Sequence, residues 1–85
     1  MRKRIYFTNH ALEQMEERGA GREEVQMAIL KGDREKTREG RFICRLTIPF
    51  GKTWGKKNYS WKQVVPVIAE EKDQTVVITV LTFYF

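Results

Sequence analysis

The last eleven residues, Thr75 to Phe85, contain no charged residue, no glycine and no proline. Valine, isoleucine, threonine and aromatic residues follow one another to the end, a composition that fits a pleated, packed strand. Both faces of such a strand are apolar, so it is expected to lie centrally in a sheet. The chain has 85 residues. That length makes one domain over 1–85 and cannot be divided into two cores.

A cover for the sheet is legible near the start. Phe7 to Gly19 reads as one short amphipathic helix. Either Thr8 or Asn9 can cap it, because each side chain accepts a bond from a free amide of the first turn. Gly19 can end it, since glycine takes the left-handed conformation cheaply. Ala11, Leu12, Met15 and Gly19 share the face to be buried. His10, Gln14 and Arg18 form a second stripe on its border, with His10 and Arg18 ~12 Å apart along the axis. A second helix is expected from about Arg22 to Lys31. Gly21 with Glu24 three residues on resembles a capping box, and Lys31-Gly32 is a suitable ending.

After Gly32 the period changes to two. Asp33 to Arg38 is polar throughout and suits an edge strand. Glu39-Gly40 reads as a hairpin turn, and Arg41 to Ile48 as a strand with Cys44 on its apolar side, buried and inert. Lys62 to Glu71 reads as a third strand, in which Pro66 requires a bulge or an edge position. Between them, residues 50–61 mix glycines and polar residues with Lys52, Trp54, Lys56, Lys57, Tyr59 and Trp61, and read as a basic aromatic loop. Residues 1–6 read as a basic lead-in, either a brief strand or an irregular arm. The expected fold is α+β: two N-terminal helices packed on one face of a four-stranded, mainly antiparallel meander sheet.

The net charge is +5 and unevenly placed. Glu13 to Glu24 holds five acids and two bases, whereas Arg34 to Lys62 holds nine bases and two acids. Such asymmetry favours an anionic partner, with nucleic acid first, although lysine-rich segments also serve solubility. Lysines interleaved with Trp54, Tyr59 and Trp61 match single-stranded nucleic-acid binding, in which bases stack on rings while cations follow the phosphates. The other reading has Trp54 and Trp61 folding back over the sheet's open face, and the expectation is one tryptophan buried and one partly exposed. The single cysteine excludes an internal disulfide and fits a reducing cytoplasm. No paired histidine or cysteine spacing exists, so neither a metal site nor a cofactor is expected. No apolar run suits a secretion signal or a membrane span.

Phe7-Thr8-x-His10-Ala11-x-Glu13-x-Met15-x-Glu17-Arg18-Gly19, followed by Glu24-Val25, Ile29, a charged hairpin and Ile78-Thr79-Val80, resembles a small prokaryotic domain-of-unknown-function family. Its first helix usually reads His-Ala-x-x-Arg-Met-x-x-Arg-Gly. The family is similar in fold to the RelE and ParE type toxins of toxin–antitoxin systems. The resemblance implies a small RNA-directed protein and points to His10, Arg18 and Thr79 as catalytic residues. This chain departs from the motif at Gln14, which stands where an arginine is usual, and at Leu81, where an aromatic is usual.

Those residue types suit metal-independent RNA cleavage. Histidine can act as base or acid, arginine can grip phosphate oxygens, and a threonine hydroxyl can orient the scissile group. Arg45, Lys52, Trp54, Lys56, Lys57 and Tyr59 are the expected nucleic-acid-binding residues. Each has a structural alternative: His10 bonded to a backbone carbonyl, Arg18 bridged to Glu24 or a strand carboxylate, Arg45 paired with Glu70, Thr79 an ordinary strand residue. A reading from another class is a non-enzymatic interaction module. Its C-terminal strand, ending Thr82-Phe83-Tyr84-Phe85, would dock an antitoxin-like protein or a second copy.

Overall fold

A computed structural model of the chain describes residues 3–85. Its elements are β1 (Arg4–Phe7), α1 (Asn9–Arg18), α2 (Arg22–Lys31), β2 (Asp33–Lys36), β3 (Phe42–Trp54), β4 (Lys57–Glu70) and β5 (Gln74–Tyr84). The strands form one sheet in the order β1-β5-β4-β3-β2. β2 to β5 pair antiparallel with their neighbours, while β1 lies parallel to β5 from Arg4↔Gln74 to Phe7↔Val77.

The expected four-stranded meander is therefore corrected in two respects. The sheet has a fifth strand, and that strand makes it mixed. Arg4–Phe7 of the lead-in becomes β1 because Ile5 and Phe7 bury against the core while Arg4 and Tyr6 face out. Met1 and Arg2 of that lead-in lie outside the described residues. Residues 50–61 are a second correction: they form the end of a long hairpin, with Lys52↔Tyr59 and Trp54↔Lys57 still paired. Gly51 and Gly55, at φ 59° and 66°, accommodate a bulge and the turn instead of breaking the strands.

Helix boundaries follow local chemistry. Thr8 is the cap of α1, its side chain accepting from the Ala11 N–H at 3.1 Å. Gly19 closes α1 at φ 74°, a left-handed conformation. The Glu24 carboxylate accepts from the Gly21 N–H at 2.9 Å, fixing the start of α2. Both helices pack on one face of the sheet. Ala11, Met15, Val25 and Ile29 meet Cys44, Val64, Ile68, Val77 and Val80 there, all buried. Each such aliphatic side chain contributes ~1.5–3 kcal/mol by leaving water.

Pro66 sits on a central strand. The β3 ladder pairs Ile43↔Val67 and Leu46↔Val64 but skips Cys44 and Arg45, so the missing proline N–H interrupts pairing locally. The register with β5 also shifts between Val67 and Ile68, making Ile78 a bulge. Among the described residues, no helix is long and apolar enough to cross a membrane.

Candidate nucleic-acid interface

The seam between α1 and β5 is where the helix stripe meets the sheet. β1 accompanies β5 only as far as Val77, where the Thr8 N–H donates to the Val77 carbonyl at 3.2 Å. Beyond that point no strand runs on this side among the described residues. Trp61 and Phe85 exchange both backbone bonds, at 2.7 and 3.0 Å. In an antiparallel ladder bonded pairs alternate, so Leu81, Phe83 and Phe85 bond to β4 while Val80, Thr82 and Tyr84 point outward.

At Val80 the helix substitutes for a strand. The Gln14 side-chain oxygen accepts from the Val80 N–H at 3.0 Å, and Arg18 donates to the Val80 carbonyl at 3.0 Å. The Thr79 hydroxyl also donates to Gln14. An arginine at position 14 would have no acceptor and could not receive the Val80 N–H. Arg18 and Thr79 are thus brought to adjacent positions of β5, but each serves the seam. Arg18 pairs with no carboxylate, and its remaining guanidinium donors have no partner among the described residues. His10 lies on the same stripe, exposed, with no hydrogen-bond partner among the described residues.

At the far end of the hairpin, Phe50, Trp54 and Tyr59 gather round Tyr84. Trp54 stacks on the Tyr84 ring at 4.9 Å and 15°, and Phe50 and Tyr59 lie 5.1 and 5.8 Å from it. The Tyr84 hydroxyl donates to the Arg18 carbonyl at 2.5 Å. Burial, and secondarily the charge of Glu24, raises the Tyr84 pKa. Beneath the rings lies Lys62, only 4% exposed, in phase with Val64 and Ile68 on the helix side. Its ammonium donates to the Gly19 carbonyl at 2.5 Å and to Glu24 at 2.7 Å, with the Phe50 and Tyr84 rings at 5.7 and 5.8 Å. Trp54 and Tyr59 are therefore committed to packing. Of the two tryptophans, Trp54 folds back, but onto Tyr84 on the helix side and not over the open face, and Trp61 does not.

The basic segment is divided by the fold. Arg34 pairs with Glu70 at 3.1 Å, Arg45 with Glu35 at 2.9 Å and Lys62 with Glu24. Arg45 thus takes Glu35 on the neighbouring strand and not Glu70. Lys36, Arg38 and Arg41 remain exposed at the β2–β3 end, and Lys52, Lys56 and Lys57 at the β3–β4 end. The thirteen residues of β3 separate these two groups by up to ~40 Å.

What the sequence left unassigned is which rings lie on the uncovered sheet face. Residues alternating with the buried Lys62, Val64 and Val80 point away from the helices. Among them Trp61, Phe83 and Phe85 are 46%, 50% and 57% exposed. Trp61 and Phe85 are direct cross-strand partners, with Phe83 two residues on. The signal was present in the apolar odd-numbered positions of β5, but apolarity on both faces reads as burial on both.

A separate cavity of about 380 Å³ opens where Lys3, Ile5, Ile29, Arg34, Glu70 and Thr75 meet, at the other end of the helix-covered face. Burial pushes the Glu70 carboxyl up, but bonds from Thr75 and Arg34 and the charges of Lys3 and Arg34 outweigh it and hold its pKa below the usual value. Its acceptors are thereby occupied within the chain. Cys44 nearby is fully buried, and burial raises its pKa. Among the described residues no group of three or more His, Cys, Asp or Glu side chains is placed to hold a metal ion.

Comparison with curated proteins gave no match, and comparison with solved structures gave none. Comparison with protein families matched residues 7–82 to the domain of unknown function DUF4258, which covers α1, α2 and nearly all of the sheet. The chain belongs to the DUF4258 family.

Proposed function

We propose that this protein binds single-stranded RNA as a toxin-like protein, in line with the fold relationship to RelE and ParE toxins that its helix motif implies. The observation that carries this reading is the exposed group Trp61, Phe83 and Phe85 on the uncovered sheet face, with the exposed cations Lys52, Lys56 and Lys57 on the hairpin that carries Trp61. Rings open to solvent stack unpaired bases, and the lysines neutralise the phosphates that connect them. The stacking function passes from Trp54 and Tyr59, which pack inward, to Trp61 and the end of β5.

Cleavage is the finer part of the proposal. His10 is the side chain free to move a proton, and Arg18, two turns further along the same stripe, keeps donors for a phosphate. Thr79 has a structural bond to Gln14 and contributes position only. The test is fluorescence anisotropy with a labelled single-stranded RNA and its duplex, followed by a gel for cleavage. Preference for the single strand, lost in Trp61→Ala, is expected. Equal affinity of Trp61→Ala and wild type contradicts the stacking surface. Cleavage that persists in His10→Ala contradicts His10 as the proton-transfer group.

A further inference from the structure

We infer that two copies of this chain join edge to edge along β5, antiparallel, with the dyad at Phe83. This goes beyond RNA binding and does not depend on it. The two edges of the sheet are built differently. β2, at one edge, is Asp33-Arg34-Glu35-Lys36, charged at every position, as strands that avoid pairing are. β5 becomes the other edge once β1 stops at Phe7, and it carries no charge, proline or glycine there.

The register follows from which backbone groups are free. Val80, Thr82 and Tyr84 point outward, and α1 has taken both groups of Val80 through Gln14 and Arg18. Those of Thr82 and Tyr84 have no partner among the described residues. Pairing Thr82 of one copy with Tyr84 of the other uses these free groups in four hydrogen bonds, and the symmetry then sets Phe83 opposite Phe83. A dyad at Thr82 would instead require the Val80 groups, so the Gln14–Arg18 cap acts as a register stop. The two caps would stand ~20 Å apart along the joined strands, clear of the new ladder.

The side chains fit the same register. Phe83 meets Phe83, and Leu81 meets Phe85, on the uncovered face. Phe83 and Phe85 are the half-exposed residues there. Non-bonded antiparallel pairs bring Cα atoms to ~4.5 Å, close enough for the rings to pack side by side at their edges while their outer faces stay open.

The test joins mass with cross-linking. Sedimentation of the whole chain is expected to give twice the 10.1 kDa monomer mass, falling towards the monomer on dilution. Thr82→Pro removes an outward N–H that the β4 ladder does not use, so a monomer with an unchanged circular dichroism spectrum is expected. Phe83→Lys, which does not alter the backbone, is expected to give the same monomer by placing like charges at the dyad. Mild oxidation should link Phe83→Cys to itself. Leu81→Cys should not self-link, because its own copy lies ~14 Å away, whereas mixed Leu81→Cys and Phe85→Cys should link. A wild-type monomer at the highest soluble concentration overturns the pairing. So does a dimer that persists in both Thr82→Pro and Phe83→Lys, or Leu81→Cys self-linking as readily as Phe83→Cys.

Discussion

The Lys62 ammonium lies 2.7 Å from the Glu24 carboxylate, joining the hairpin to the start of α2 beneath two aromatic rings. A buried lysine is tolerable only because three groups face it: the carboxylate, the Gly19 carbonyl and the ring faces. Lys62→Ala leaves Glu24 and the Gly19 carbonyl without their partner. Glu24 is partly exposed, which lets water compensate in part, so a loss of ~2 kcal/mol is expected. Thermal unfolding checks this, with a fall of roughly 10 °C in Tm for a domain of this size.

Gly19 links the same corner to the hairpin end. It sits at φ 74°, and a Cβ there would come within 2.6 Å of the Trp54 ring and 2.9 Å of the Tyr84 hydroxyl. Gly19→Ala is therefore strained in the backbone and displaces Trp54 from its stack. A destabilisation of about 2 kcal/mol and an altered tryptophan emission in the folded state are expected. Unchanged emission together with unchanged stability would mean that the ring does not rest on the helix end.

Gln14→Ala and Arg18→Ala each orphan one backbone group of Val80, at a cost of ~1–3 kcal/mol. Gln14→Arg is expected to destabilise by a similar amount, since arginine cannot accept the Val80 N–H. Chemical denaturation measures all three. Any loss of RNA activity in Arg18→Ala has to be read beside this structural loss, whereas His10→Ala, on an exposed unbonded side chain, is expected to leave stability unchanged.

The acid side of the stability profile should depend on Glu70. Its folded pKa is lowered, so ionisation favours the native state. The stabilisation is present above the unfolded carboxyl value, here 4.5, and is lost as pH falls through the lower folded value. Glu70→Gln is expected to flatten the decline in stability below about pH 5. A wild-type slope retained in the variant would place the acid sensitivity elsewhere.

Much of the helical part was legible because its determinants are local. Thr8, Gly19, Gly21 with Glu24, and Lys31-Gly32 each act within one turn of the residue they terminate. β1 was not legible as a paired strand. Four residues, half of them turned outward, are ordered by a parallel partner some seventy positions away. Gly51 and Gly55 suggested a loop, yet glycine also permits a bulge and a turn within a continuous hairpin. Lys62 adds to the basic count of Arg34 to Lys62, although its phase with Val64 and Ile68 sets it on the buried side. Trp54 and Tyr59 share their composition with Trp61. Only the curl of the hairpin onto Tyr84 separates packed rings from exposed ones.

RNA binding through the sheet face and the hairpin lysines is tested most directly by the salt dependence of affinity for a single-stranded RNA of about ten nucleotides. Wild-type binding is expected to weaken steeply with salt, and the Lys52, Lys56 and Lys57 triple alanine variant to lower the log–log slope by about 2. Trp61→Ala should weaken binding by about 5–150-fold with little change in slope. A salt-independent affinity, or a triple variant that binds as wild type does, would contradict it.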